Sequence, residues 1–298
     1  MTNDKLLTID AHAHAGACGA SRPDQLLAPA HDLLACMDAA DVDMAVLHTN
    51  DVWGMKYAAR MLREHSDRFI GVCKVDGAHA HTPPALQAIQ HHVAEEGFRG
   101  LYFDPWPPTL DAYSNFHAPT YRPLWDLVDD MQLPICFVSY GTRSPDLFPN
   151  LVKLLDRYPD LVITIVHGLY LRNAAPPNLF DDHSGVNIDQ DIIDLVNGFD
   201  VSLEILAGYP GAWFGPNDIL IEALYDTFGP RKLYWGSEFT KAMALSPEDA
   251  RSPRHYVQQF NHLREHCPYI SKPDLGWILG GNTARIHGLD PVVTATTS

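Results

Sequence analysis

The chain has 298 residues, 46% of them hydrophobic and 19% charged, with a formal charge of −16. This is the composition of an ordinary globular protein long enough to bury a large core. The scattered acidic excess excludes nucleic acid as a partner, because phosphate recognition needs a basic face.

No apolar run approaches the ~18 residues a membrane span needs, and residues 1–10 lack the basic-then-apolar order of a secretory signal. A cytoplasmic location follows as the expectation. Five widely spaced cysteines, Cys18, Cys36, Cys73, Cys136 and Cys267, contain no CxxC pair and are expected to be reduced thiols.

In chain order, residues 6–14 form the first predicted strand, and a helix over 25–40 follows with Leu26, Leu27, Leu33, Leu34 and Met37 on one face. Strand 44–48 leads to helix 52–65, strand 69–75 to helix 84–96, and strand 100–103 to a segment at 104–119 rich in Pro and aromatic residues. That segment is long enough to serve as a lid or substrate loop. Helix 121–131, strand 135–139, helix 145–158, strand 162–167 and helix 189–197 come next. Strand 200–205, helix 217–228 and strand 232–236 follow, and helices near 253–266 and 273–287 close the chain before a small polar tail at 294–298.

The strands are rich in Val, Ile and Leu with few charges, as parallel strands covered on both faces should be. Eight such β-α units predict an α/β protein, a (β/α)8 TIM barrel spanning residues 1–298 as one domain, with added C-terminal helices from about 253. A doubly wound open sheet is the alternative. It would be expected to carry a GxGxxG loop after the first strand, and none occurs there.

The first strand carries the most chemistry. His12 and His14 lie two residues apart, so both imidazoles leave one strand face toward one point, the geometry a divalent metal requires. In a barrel of this kind the working residues gather at the C-terminal ends of the strands. Those ends carry His12, His14, His48, Lys74, Asp76, Tyr102, Asp104, Ser139, Tyr140, His167, Glu204 and, just past Ser237, Glu238. Asp76 also reads as a helix cap and Tyr102 as a half-buried core tyrosine.

Four runs carry a family resemblance. They are Ile9-Asp10-Ala11-His12-Ala13-His14, the stretch from Tyr158-Pro159-Asp160-Leu161 through Val166-His167-Gly168, Leu233-Tyr234-Trp235-Gly236-Ser237-Glu238, and Ile278-Leu279-Gly280-Gly281-Asn282-Thr283-Ala284-Arg285. In this order the chain resembles the amidohydrolase superfamily, in the amidohydrolase 2 branch. That branch includes aminocarboxymuconate semialdehyde decarboxylase, γ-resorcylate decarboxylase and 2-pyrone-4,6-dicarboxylate lactonase.

Two departures from the family pattern stand out. Ser139 stands where the fifth strand of metal-dependent members ends in a histidine ligand, and Glu238 replaces the usual eighth-strand Asp. The resemblance implies a divalent metal held by His12, His14 and Glu238, zinc first and manganese second. Loss of the fifth-strand ligand implies weaker binding, and a metal-free site, with His12 and His14 as hydrogen-bond donors to substrate, is the alternative.

The expected activity is hydrolysis of a small cyclic or aromatic carbonyl compound, such as a lactone or amide. Glu238 would be the catalytic proton acceptor and donor, and His167 would stabilise the oxyanion or complete the metal shell. Arg143 and Arg172 are candidate clamps for a substrate carboxylate, and Tyr102, Trp106, Ser139, Tyr140 and His48 complete the candidate substrate pocket. Non-oxidative decarboxylation of an aromatic or muconate-like acid is the second reading, and a non-catalytic ligand-binding barrel the third. A small molecule is the expected partner, and a homo-oligomer is compatible with the sequence.

Overall fold

The computed structural model describes residues 5–14, 18–19, 22–26, 29–49, 52–105, 113–139, 145–169, 180–181, 185–186, 188–206, 218–239 and 252–293. Eight parallel strands form one sheet: β1 (Ile9–Ala13), β2 (Met44–His48), β3 (Phe69–Lys74), β4 (Phe98–Phe103), β5 (Ile135–Val138), β6 (Ile163–Val166), β7 (Val201–Ile205) and β8 (Leu233–Trp235). Each strand pairs with its sequence neighbour, in the order β8-β7-β6-β5-β4-β3-β2-β1. The ends meet where Ala13 pairs in parallel with Phe239 and the His14 N–H donates to the Phe239 carbonyl. This is a nearly closed (β/α)8 barrel.

The helices that cover it are α1 (Ala30–Ala40), α2 (Val52–Glu64), α3 (Pro83–Glu96), α4 (Arg122–Asp130), α5 (Leu147–Leu155), α6 (Gln190–Gly198), α7 (Asp218–Phe228) and α8 (Pro253–His266). Strand alternation divides the core in two. One parity of residues packs between strands and helices, as where Phe103 and Phe137 of β4 and β5 stack with Trp125 of α4. The other parity fills the barrel: Val46, Ile70, Val72, Tyr102, Cys136, Val138 and Val166, joined by Ile9 and, from the C-terminal segment, Ala284. The register of β1 shifts between Asp10 and Ala13, so that beyond Ile9 it is Ala13 that packs outward and His12 and His14 that face in. Each fully buried aliphatic or aromatic side chain of this kind contributes roughly 1.5–3 kcal/mol.

Two predicted helices differ. The 25–40 helix starts only at Ala30, because Pro29 sits extended before the first turn and Arg22–Leu26 pairs antiparallel with Cys18–Gly19. The 273–287 helix is broken into α9 (Lys272–Gly276), a π-turn over Trp277–Gly281, and α10 (Asn282–Ile286).

The break has a physical cause. Gly280 lies so close to β1 that a Cβ there would collide with the Leu7 carbonyl. The Asn282 amide then donates to the carbonyls of Pro230 and Leu233, both at 2.7 Å, tying the segment to the start of β8. The Leu-Gly-Gly-Asn run is therefore a structural element at the base of the barrel, opposite the site. Cys36, Cys73, Cys136 and Cys267 are buried thiols. No helix among the described residues is long and apolar enough to cross a membrane.

Candidate active site

On β1, Asp10, His12 and His14 share one parity, and all three are buried. His14 Nδ1 lies 3.1 Å from the His48 carbonyl oxygen, which can only accept, so Nδ1 carries the proton and Nε2 keeps its lone pair. His12 Nδ1 lies 2.8 Å from Glu204 Oε1 at the end of β7, and it donates there when the carboxylate is ionised. Both Nε2 atoms then present lone pairs to each other at 2.8 Å. Two lone pairs do not tolerate that contact, so a proton or a metal cation must lie between them. Orientation of a ligating histidine by a carboxylate or a backbone carbonyl behind it is the usual support of a metal site.

Glu238 completes the cluster: its carboxylate and the two ring nitrogens offer donor atoms all within 4.8 Å of one another. Glu238 Oε1 accepts from His167 Nε2 at 3.2 Å, while Oε2 is buried with no hydrogen-bond partner among the described residues. Two imidazole nitrogens and a carboxylate oxygen with spare lone pairs fit a divalent ion such as zinc.

His167 and Glu238 also hold left-handed backbone, at φ 64° and 50°. Only two other non-glycine residues among those described do so, Asp41 and Gln132. Such conformations cost of order 1–3 kcal/mol and concentrate where the surroundings over-determine them. Here the Glu204 Oε2 atom holds the His167 N–H at 2.5 Å, and Ser237 is tied down beside Glu238.

Two buried carboxylates build this frame. Glu204 joins β1 to β6 through its two oxygens, and burial pushes its pKa up to about 7, against the lowering pull of His167. Gly236 permits the approach, since a Cβ there would strike Glu204 Oε1. Asp10 accepts from the His12 N–H, the Ser237 N–H and hydroxyl, and the Tyr256 hydroxyl. Burial nevertheless raises Asp10 from 3.8 to about 6.

The folded carboxyl of Asp10 thus keeps its proton to higher pH than the unfolded one. Its contribution is full below about 3.8 and is lost as pH rises through about 6. The shift of about two units corresponds to roughly 3 kcal/mol. Asp10→Asn removes the ionisation, so the urea midpoint of the wild-type chain should fall relative to the variant's between pH 4 and 6. Parallel profiles would contradict this account of Asp10.

The other rim residues sort clearly. His48 donates its Nε2–H to the Ala11 carbonyl at 3.0 Å, and its ring lies 4.5 Å from that of His12 and 4.7 Å from that of Tyr102. His48 and Tyr102 therefore border the cluster. Lys74 and Asp104, on neighbouring strand ends, lie 3.8 Å apart. Asp76 is exposed and holds the His79 ring and the Ala78 N–H within a turn; the following helix is capped at Thr82, so Asp76 is not its cap.

Cys136 and Val138 fill the barrel while Ile135 and Phe137 face the helices, so Val138 is the inner-face residue at the end of β5. Ser139 follows on the other parity, buried, with its N–H donating to the Val166 carbonyl. His167 likewise follows the inward Val166 and reaches the cluster, so Ser139 holds the corresponding place at the end of the fifth strand. Arg143, Arg172, Trp106 and Tyr140 lie outside the described residues. Sequence reasoning placed Glu204 at the rim without a role and gave Asp10 none. The signal for both was an acidic residue inside an otherwise apolar strand.

Residues 9–289 match the family model described as Amidohydrolase. No curated protein matches the chain. Among solved structures, a probable 2-pyrone-4,6-dicarboxylic acid hydrolase from Acinetobacter baumannii with citric acid bound is similar at TM-score 0.65 and 16% identity, covering 95% of this chain and 100% of that one. The 2,6-dihydroxybenzoate decarboxylase from Rhizobium gives 0.60 and 15%, covering 95% and 98%. A 5-carboxyvanillate decarboxylase from Novosphingobium aromaticivorans with bound manganese gives 0.61 and 13%, covering 95% and 96%. At these identities the likeness shows the fold.

Proposed function

The chain belongs to the amidohydrolase family, and from that premise we propose that it hydrolyses a small cyclic or aromatic carbonyl compound, a lactone or amide, with a divalent metal. The observation that supports this reading is the position of Glu238. Its carboxylate meets the ring nitrogens of His12 and His14 on one side and His167 on the other. A proton acceptor, a proton donor and a cation site thus meet at one buried point.

A zinc or manganese ion held by His12, His14 and Glu238 would supply Lewis acidity, activating water and polarising a carbonyl. Glu238 takes the proton of the attacking water and delivers it to the leaving oxygen or nitrogen as the carbonyl bond to that atom breaks. His167, donating from Nε2, holds the Glu238 carboxylate in place and turns to the developing oxyanion. Glu204 keeps the His12 ring and the His167 backbone fixed throughout.

Decarboxylation of an aromatic acid is the second reading. It is favoured by two similar structures that are decarboxylases by name, one of them with manganese. The two readings separate on products. The chain, supplied with zinc or manganese, is incubated with 2-pyrone-4,6-dicarboxylate, with the neutral lactone dihydrocoumarin and with 2,6-dihydroxybenzoate. Ring opening with uptake of one water and no carbon dioxide is expected. Carbon dioxide from the benzoate with both lactones untouched would replace hydrolysis by decarboxylation.

A further inference from the structure

A second cluster of metal-ligating side chains lies away from the barrel mouth, between α7 and α8. Asp218 is the first residue of α7, His262 lies in the third turn of α8, and Cys267 follows the end of α8. Asp218 Oδ1 and His262 Nε2 are 2.5 Å apart, and these two atoms and the Cys267 sulfur all lie within 4.8 Å of one another.

The three are held in place by their neighbours. The Tyr269 hydroxyl donates to the Asp218 carbonyl at 3.3 Å, and the His266 ring lies tilted beside that of His262, with centroids 4.8 Å apart. Cys267 is fully buried and the His262 side chain nearly so, while 45% of the Asp218 side chain is exposed. The cluster is therefore closed on its sulfur side and open to water on its carboxylate side.

We propose that Asp218, His262 and Cys267 bind a zinc-class divalent cation that clamps the start of α7 to the end of α8. One thiolate, one imidazole and one carboxylate form a borderline-soft set, which suits zinc or cobalt and disfavours magnesium or calcium. Three protein ligands leave a fourth position on the exposed side for water. Without the cation, a proton bridges His262 Nε2 and Asp218 Oδ1. Binding displaces that proton and the Cys267 thiol proton, so affinity rises with pH.

The competing reading is a hydrogen-bonded His–Asp pair with an inert thiol packed behind it. Sulfur separates the two readings, and it also separates this cluster from the barrel mouth, where His12, His14 and Glu238 offer none. Cobalt(II) is added to the full chain under reducing conditions, and near-ultraviolet sulfur-to-cobalt charge-transfer absorption is recorded. The absorption should appear at about one equivalent bound, persist in the His12→Ala/His14→Ala double variant, and vanish in Cys267→Ser.

Asp218→Asn, at a half-exposed position that leaves the buried side chains intact, should weaken the site by roughly tenfold or more, on the scale of disturbed metal shells. Zinc should raise the Tm of the double variant by more than that of the same double variant carrying Asp218→Asn, at the same zinc concentration. Absence of the absorption in the wild-type chain, or its survival in folded Cys267→Ser or at unchanged cobalt affinity in Asp218→Asn, would overturn the proposal. None of these results depends on what reaction the barrel mouth performs.

Discussion

Glu238→Gln is expected to lower kcat by about a hundredfold or more at metal concentrations that saturate the variant. The amide keeps the volume and one oxygen near His12 and His14 but cannot accept the proton of a water molecule. The loss should therefore appear in kcat more than in KM. Few folding contacts change, because among the described residues the Glu238 carboxylate accepts one hydrogen bond, from His167. The Tm should stay within a few degrees of wild type. Glu238→Asp keeps the carboxylate but withdraws it by one methylene, and activity between the two is expected. Near-normal kcat in Glu238→Gln, measured on whichever probe the chain turns over, would remove Glu238 from proton transfer.

Glu204→Gln is expected to weaken divalent-metal binding by about ten- to a hundredfold, the usual effect of removing the partner behind a ligating histidine. The two carboxylate oxygens receive the His12 Nδ1–H and the His167 backbone N–H. A glutamine has one oxygen, so in either orientation its NH2 faces a donor. A buried donor left without an acceptor costs about 1–3 kcal/mol. A lower urea midpoint should accompany the weaker binding, unlike the near-silent stability of Glu238→Gln. Unchanged zinc affinity, read by competition with a coloured chelator, would contradict the role given to Glu204.

The barrel was legible because its evidence is local. Eight apolar runs with turn signals between them need no knowledge of long-range contacts, and the i, i+2 spacing of His12 and His14 fixes their common face. Glu238 and His167 could be placed at the mouth because each follows a strand run. The partners that lock the site were less legible. His12 and Glu204 are 192 residues apart, and nothing near either one announces the other. Asp10 likewise finds Ser237 and Tyr256 across the closure of the barrel.

The fifth strand shows how narrow the margin is. Past the strand ends parity no longer tells which side chains reach the mouth: His167 lies there although it follows the inward Val166, and Ser139 holds the corresponding place after the inward Val138. The 273–287 helix failed for a different reason. Helical periodicity runs through it, but the close approach of Gly280 to Leu7, just before β1, is a tertiary contact.

The most direct test of the site is a zinc titration by isothermal calorimetry on the chelator-stripped chain, beside the His12→Ala/His14→Ala double variant. The wild-type chain should take up one more equivalent than the variant, with that equivalent absent at every zinc concentration reached. Equal stoichiometry and affinity in the two proteins would contradict the metal centre and leave His12 and His14 as hydrogen-bond donors to the substrate.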